Sequence, residues 1–208
     1  MEETWLDDRV VSMAADGDGG FYMVWESEDL SHGFSDYEGE AIPARQYLSK
    51  FDPDGREVWR RGLANQGWVG FSAIAVDLEG NIYATGSIDD WPGVEMMRRV
   101  LPRLVGEEPF YDFYDKMDYD AFVAKFDREG RLLWLRRAPA ASPNRDGGLF
   151  IALDGEGSVY ITVYTDVVPR NRTRQETTMS LSKLDPAVDE LWSVPIALGE
   201  RGYLTSMT

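Results

Sequence analysis

The chain has 208 residues, no cysteine, and 37 acidic against 21 basic side chains, for a formal net charge of −16. Disulfides and thiolate metal sites are thereby excluded, and the charge disfavours nucleic-acid backbones and anionic membrane surfaces, both of which reward positive charge. Twenty Gly and ten Pro point to many turns and few long helices, and no run approaches the ~18 apolar residues of a membrane-spanning helix.

Residues 1–5 lack the basic and apolar regions of a signal peptide, which fits a cytoplasmic protein or a mature or trimmed chain. From residue 8 onward an acidic turn, Asp-x-(Asp/Glu)-Gly, recurs at 16–19, 52–55, 77–80, 127–130 and 154–157. A sixth copy at 185–189 has lost its glycine. Asp can bond local backbone amides and Gly can take φ > 0, so each copy has the chemistry of a tight hairpin turn.

Two kinds of hairpin alternate along the chain. The first kind, at 10–25, 71–87 and 150–164, places a Tyr six residues after the first Asp: Tyr22, Tyr83 and Tyr160. The second kind, at 47–60, 121–136 and 179–194, has a Lys before the turn (Lys50, Lys125, Lys183). A Trp follows seven residues after the first Asp: Trp59, Trp134 and Trp192. Period-two alternation within the runs argues for strands. Six hairpins make twelve strands, and 203–208 reads as the opening strand of a seventh. The Tyr and Trp at fixed offsets read as core or inter-unit packing, which a repeated scaffold needs because each unit buries its face on the next.

Two successive hairpins give a four-stranded unit the size of a propeller blade. The phrases "YLSKFDPDGREVW" with "FSAIAVDLEGNIYATGS", and "AFVAKFDREGRLLW" with "FIALDGEGSVYITV", resemble the bacterial β-propeller repeat of the seven-bladed type found in secreted and surface proteins. The resemblance implies an all-β fold of four-stranded antiparallel blades in one domain over 1–208, with units near 8–66, 67–142 and 143–200 and a further unit starting at 201–208. It implies a secreted or surface location and says little of activity, because propellers host many. Three blades fall short of the four to eight that close a ring, so association of copies, or a longer chain, is expected.

Spacing between turns shows where the repeat varies. It is short from each Lys/Trp hairpin to the next Tyr hairpin and long in the other direction, so every long insertion occupies the same place in the repeat. Up-and-down strands then set the acidic turns at one end and the insertions at the other. Variable loops on a rigid scaffold are where binding resides. The first insertion, 26–45, holds the only histidine, His32, a group that titrates near neutrality. The longest, 88–119, has apolar residues at helical spacing over 94–104 and then the cluster Phe110, Tyr111, Asp112, Phe113, Tyr114 and Asp115, with Trp91 nearby. The third, 167–175, carries Arg170, Arg172 and Arg174.

Aromatics are favoured at interfaces and also stack on sugar rings, so Trp91 and residues 110–115 are the candidate contact surface, with His32 of the first insertion as a further candidate binding residue. The preferred reading is a non-enzymatic binding or assembly module whose partner is another protein or its own copy. A second reading is a carbohydrate-active hydrolase or lyase using loop carboxylates such as Asp112 and Asp115. A third is a calcium-stabilised extracellular scaffold, for which Asp16 and Asp18 are the best-placed carboxylates, although no copy continues with the ligands of a calcium loop. No cofactor is otherwise expected.

Overall fold

The computed structural model describes residues 8–27, 33–35, 41–43, 46–64, 69–88, 120–138, 145–167 and 176–196. These residues are all strand and turn. No helix among them is long and apolar enough to cross a membrane.

The strands in chain order are β1 (Arg9–Ala15), β2 (Phe21–Glu26), β3 (Gly33–Ser35), β4 (Ala41–Pro43), β5 (Gln46–Phe51) and β6 (Glu57–Ala64). They continue with β7 (Val69–Val76), β8 (Ile82–Ile88), β9 (Asp120–Phe126), β10 (Leu132–Arg137), β11 (Arg145–Leu153), β12 (Val159–Val167), β13 (Glu176–Leu184) and β14 (Glu190–Ile196). Three four-stranded antiparallel sheets result: β1-β2-β5-β6 (sheet I), β10-β9-β8-β7 (sheet II) and β11-β12-β13-β14 (sheet III). The small pair β3-β4 lies within the first insertion and was not anticipated from the spacing.

Each acidic turn closes a hairpin as its residues dictate. The first Asp's amide donates to the carbonyl of the residue four later, at 2.9–3.1 Å. Its Oδ1 accepts the amides two and four residues on, at 2.8–3.0 Å, in all six copies. The fourth position has positive φ throughout, from Gly55 at 78° and Gly130 at 75° to Val188 at 70° in the copy without glycine. The sixth turn therefore keeps its backbone bonds despite its spelling.

The sheets stack face to face. Tyr22, Val24 and Leu48 of sheet I share one core with Phe71, Ile74, Phe122, Phe126 and Leu135 of sheet II. The opposite face of sheet II, with Ala73, Tyr83 and Val123, shares a second core with Ile151, Val159, Ile161 and Leu184 of sheet III. Alternation makes this happen, because successive residues on a strand face opposite sides. Sheet II is thus covered on both faces, and its inner strands β8 and β9 are buried along nearly their whole length.

The first strand of sheet II adjoins the first strands of the other two, β1 and β11 each packing on β7. Each of these strands carries a bulge at an equivalent place, between Val10 and Ser12, Phe71 and Ala73, and Gly148 and Phe150. Approach between sheets II and III is close here: a Cβ on Gly148 of β11 would lie 1.9 Å from Thr85 Oγ1 of β8.

Candidate functional site

One constellation of four side chains occurs three times. In sheet I the Lys50 ammonium lies 3.3 Å from Asp16 Oδ2 and 5.2 Å from the centre of the Tyr22 ring. Trp59 packs against that Tyr at 5.9 Å between ring centres. Sheet II repeats it with Lys125–Asp77 at 3.5 Å, Lys125 over Tyr83 at 4.7 Å and Trp134 at 5.9 Å from Tyr83. Sheet III repeats it with Lys183–Asp154 at 3.1 Å, Lys183 over Tyr160 at 5.0 Å and Trp192 at 6.1 Å from Tyr160. Cross-strand register makes the set, since Tyr22, Lys50 and Trp59 lie side by side on β2, β5 and β6.

The electrostatics close this constellation on itself. Burial would raise the Asp16 carboxyl, but the amide of Asp18, the Lys50 ammonium and the amide of Gly20 outweigh it and lower its pKa. Burial would lower Lys50, but Tyr22 and Asp16 together raise it. Burial raises the Tyr22 phenol. Asp154 moves down for the same reasons as Asp16: burial opposes, and the amides of Ser158 and Glu156 with the Lys183 ammonium prevail. A carboxylate held ionised against a protonated lysine is a poor proton shuttle near neutral pH. Both oxygens of Asp16 are engaged, Oδ1 by two amides and Oδ2 by Lys50. Among the described residues, no group of three or more His, Asp or Glu converges on a point that could hold a metal ion. The constellation is a structural clamp.

The strand ends carrying the insertions lie opposite the acidic turns. Register pairs Glu26 with Gln46, Ile88 with Asp120, and Val167 with Glu176 at those ends. Gln46 joins two sheets there: its Nε2 donates to Glu26 Oε1 at 2.8 Å and to the Phe71 carbonyl at 3.2 Å, and its Oε1 accepts the Phe71 amide at 2.7 Å. Asp120 pairs with Arg137 at 2.5 Å, and Asp146 is fully buried. Sequence reasoning missed Gln46, Asp120 and Asp146, whose only signal was a polar residue at or next to the start of a strand. His32, Trp91, Phe110, Tyr111, Asp112, Phe113, Tyr114 and Asp115 lie outside the described residues, as do 94–104, Arg170, Arg172, Arg174 and 203–208.

The face of sheet I turned away from sheet II forms a groove of about 250 Å³, lined by Met23, Trp25, Phe51, Glu57 and Arg60 with residues 8–10. Phe21 stacks on Phe51 at 4.8 Å and Trp25 on Tyr47 at 4.9 Å, with the Arg60 guanidinium 4.6 Å over the Trp25 ring. Glu57 receives two bonds from Arg60 and one from Ser49, and Arg60 chiefly holds its carboxyl below the usual range. At the other end of the stack, the outward face of sheet III exposes Trp192 and Val194. No protein-family model matches the chain, and no curated protein is significantly similar to it.

Proposed function

We propose that the chain is a non-enzymatic binding and assembly module built as a partial β-propeller, which recognises a protein partner through the insertions of its repeat. The observation that carries this reading is the division of labour between the two ends of the sheets. All six acidic turns are sealed by their own Asp residues. All three intra-sheet insertions leave from the opposite strand ends, which are fixed by bonds such as those of Gln46. The radial arrangement is supported by the packing of β1 and β11 on β7, the first strands of the three sheets, each bulged at the same position.

A scaffold of this kind holds its variable loops rigidly at the base and leaves their tips for contact. Aromatic residues of the second insertion supply apolar area with a polar edge, suited to a protein surface. The test replaces Trp91, Phe110, Tyr111, Phe113 and Tyr114 together by Ala. A contact role leaves the urea midpoint near wild type and removes the partner cross-links that the intact chain forms in its source cells. A stability lowered by several kcal/mol places those aromatics in the core instead and refutes the proposal.

A further inference from the structure

Among the described residues, the stack of sheets ends in two faces that have the form of a buried contact without its other half. Between sheets I and II, Trp59 and Tyr22 lie under the second sheet, and Gly130 sits so close that an added Cβ would be 2.6 Å from Trp59 Cη2. Between sheets II and III, Trp134 and Tyr83 occupy the same core as Val188, the residue equivalent to Gly130. Sheet III presents the third Tyr, Lys and Trp in the same geometry, yet Trp192 is 40% exposed and Val194 46%. The third counterpart of Gly130 is Gly55 of sheet I, and nothing lies within 4 Å of a Cβ built there. One end thus has the receiving surface and the other end has the surface that would fill it.

We infer that two copies of this chain associate end to end, the outward face of sheet III in each covering the outward face of sheet I in the other. The occupant is specified by repetition: the relation of sheet II to sheet I, and of sheet III to sheet II, is applied once more with a second copy supplying the next sheet. Two copies provide six sheets, a number that closes a propeller. The face of a four-stranded sheet six residues deep covers roughly 400 Å². Two such contacts bury four faces, roughly 1,600 Å², the size of a stable protein interface. Sheet I is suited to this role, because Val10, paired with Trp25, and Met13, paired with Met23, are each 54% exposed. The inference rests on the radial arrangement proposed above and is independent of the insertion face.

The experiment measures solution mass by light scattering over a range of protein concentrations. Met13→Asp on sheet I and Val194→Asp on sheet III introduce a charge at positions exposed in a single copy, so each variant retains its fold, checked by circular dichroism. Val10→Asp substitutes for the first variant if that one unfolds. The expected result is a dimer of the intact chain, weakened tenfold or more by either substitution, because each would bury an unpaired charge. Mixing the two variants restores association in part, since one of the two contacts then joins unaltered faces. Each copy carries a net charge of −16, so raising sodium chloride from about 50 to about 500 mM tightens the dimer by screening repulsion. A monomer at every concentration overturns the inference, and so does a dimer sensitive to only one substitution, no gain on mixing, or weakening by salt. Removing 93–115 leaves the dimer in place. A folded monomer after that deletion overturns the end-to-end contact and favours the insertion face, whereas loss of the insertion's own partner with the dimer retained separates the two proposals.

Discussion

The fourth residue of the acidic turn shows how one backbone requirement acquires different costs. Gly55 and Gly130 have nearly the same φ, 78° and 75°. A Cβ at 55 meets nothing within 4 Å, whereas one at 130 meets the Trp59 ring at 2.6 Å and Arg61 Cγ at 3.1 Å. Gly55→Ala should cost about 1 kcal/mol, the left-handed penalty alone. Gly130→Ala should cost about 3 kcal/mol, because ring displacement adds to that penalty. Urea unfolding of dilute protein compares them, and equal losses would mean that Trp59 yields freely. Val188 is the natural exception. It takes the same φ with a β-branched side chain, and its burial among Trp134 and the sheet III core offsets the strain. The spelling of the turn was enough to anticipate a left-handed residue at each copy that has its glycine. It could not show that the sixth copy retains one, since the compensation comes from a neighbouring sheet.

At the scale of the strand, a second series of bulges explains why the Trp lies where it does. In each Lys/Trp hairpin the register slips by one residue at Val58, Leu133 or Leu191, between the pairs on either side. These three are among the exposed large hydrophobics, at 57%, 43% and 56%. The extra residue inverts the parity of the rest of the strand, so Trp59 faces the Tyr and Lys side while Glu57, two positions before it, faces the other. Leu133→Gln should therefore change stability by no more than about 0.5 kcal/mol. Trp134→Ala, one residue later, should cost about 3 kcal/mol. Deleting Leu133 leaves Leu132 opposite Phe126 and Trp134 opposite Lys125 in unbroken register, so it should cost less than Trp134→Ala. A loss as large as that of Trp134→Ala would show that the added twist of the bulge, rather than cross-strand pairing alone, aims the ring. Alternation in the sequence was sufficient to identify the strands, and the constant offset of seven to the Trp carried a trace of the bulge. It did not reveal it, because Val58, Leu133 and Leu191 are apolar and so read as ordinary strand residues.

For the whole molecule, sequence spacing located the end from which the insertions leave, while the clamps that hold the other end depended on cross-strand register. Those clamps set the response to acid. At neutral pH the net charge of −16 produces self-repulsion, which lessens as exposed carboxylates take up protons on acidification. Asp16 and Asp154 work in the opposite sense. Their folded pKa values lie below the ordinary carboxylate value of about 3.9, so the stability they contribute is complete above that pH and is lost as pH falls through the folded values. Stability should accordingly peak near pH 5 and fall below about pH 4. Asp154→Asn isolates the ion pair: an amide oxygen can still accept the Glu156 and Ser158 amides, but Lys183 loses its carboxylate. The urea midpoint of this variant should lie below wild type from about pH 5 to about pH 8, and the two curves should converge as pH drops below about 4. Curves that stay parallel down to about pH 3 would mean that the substitution acts through the turn backbone and that the Lys183 pair adds nothing to stability.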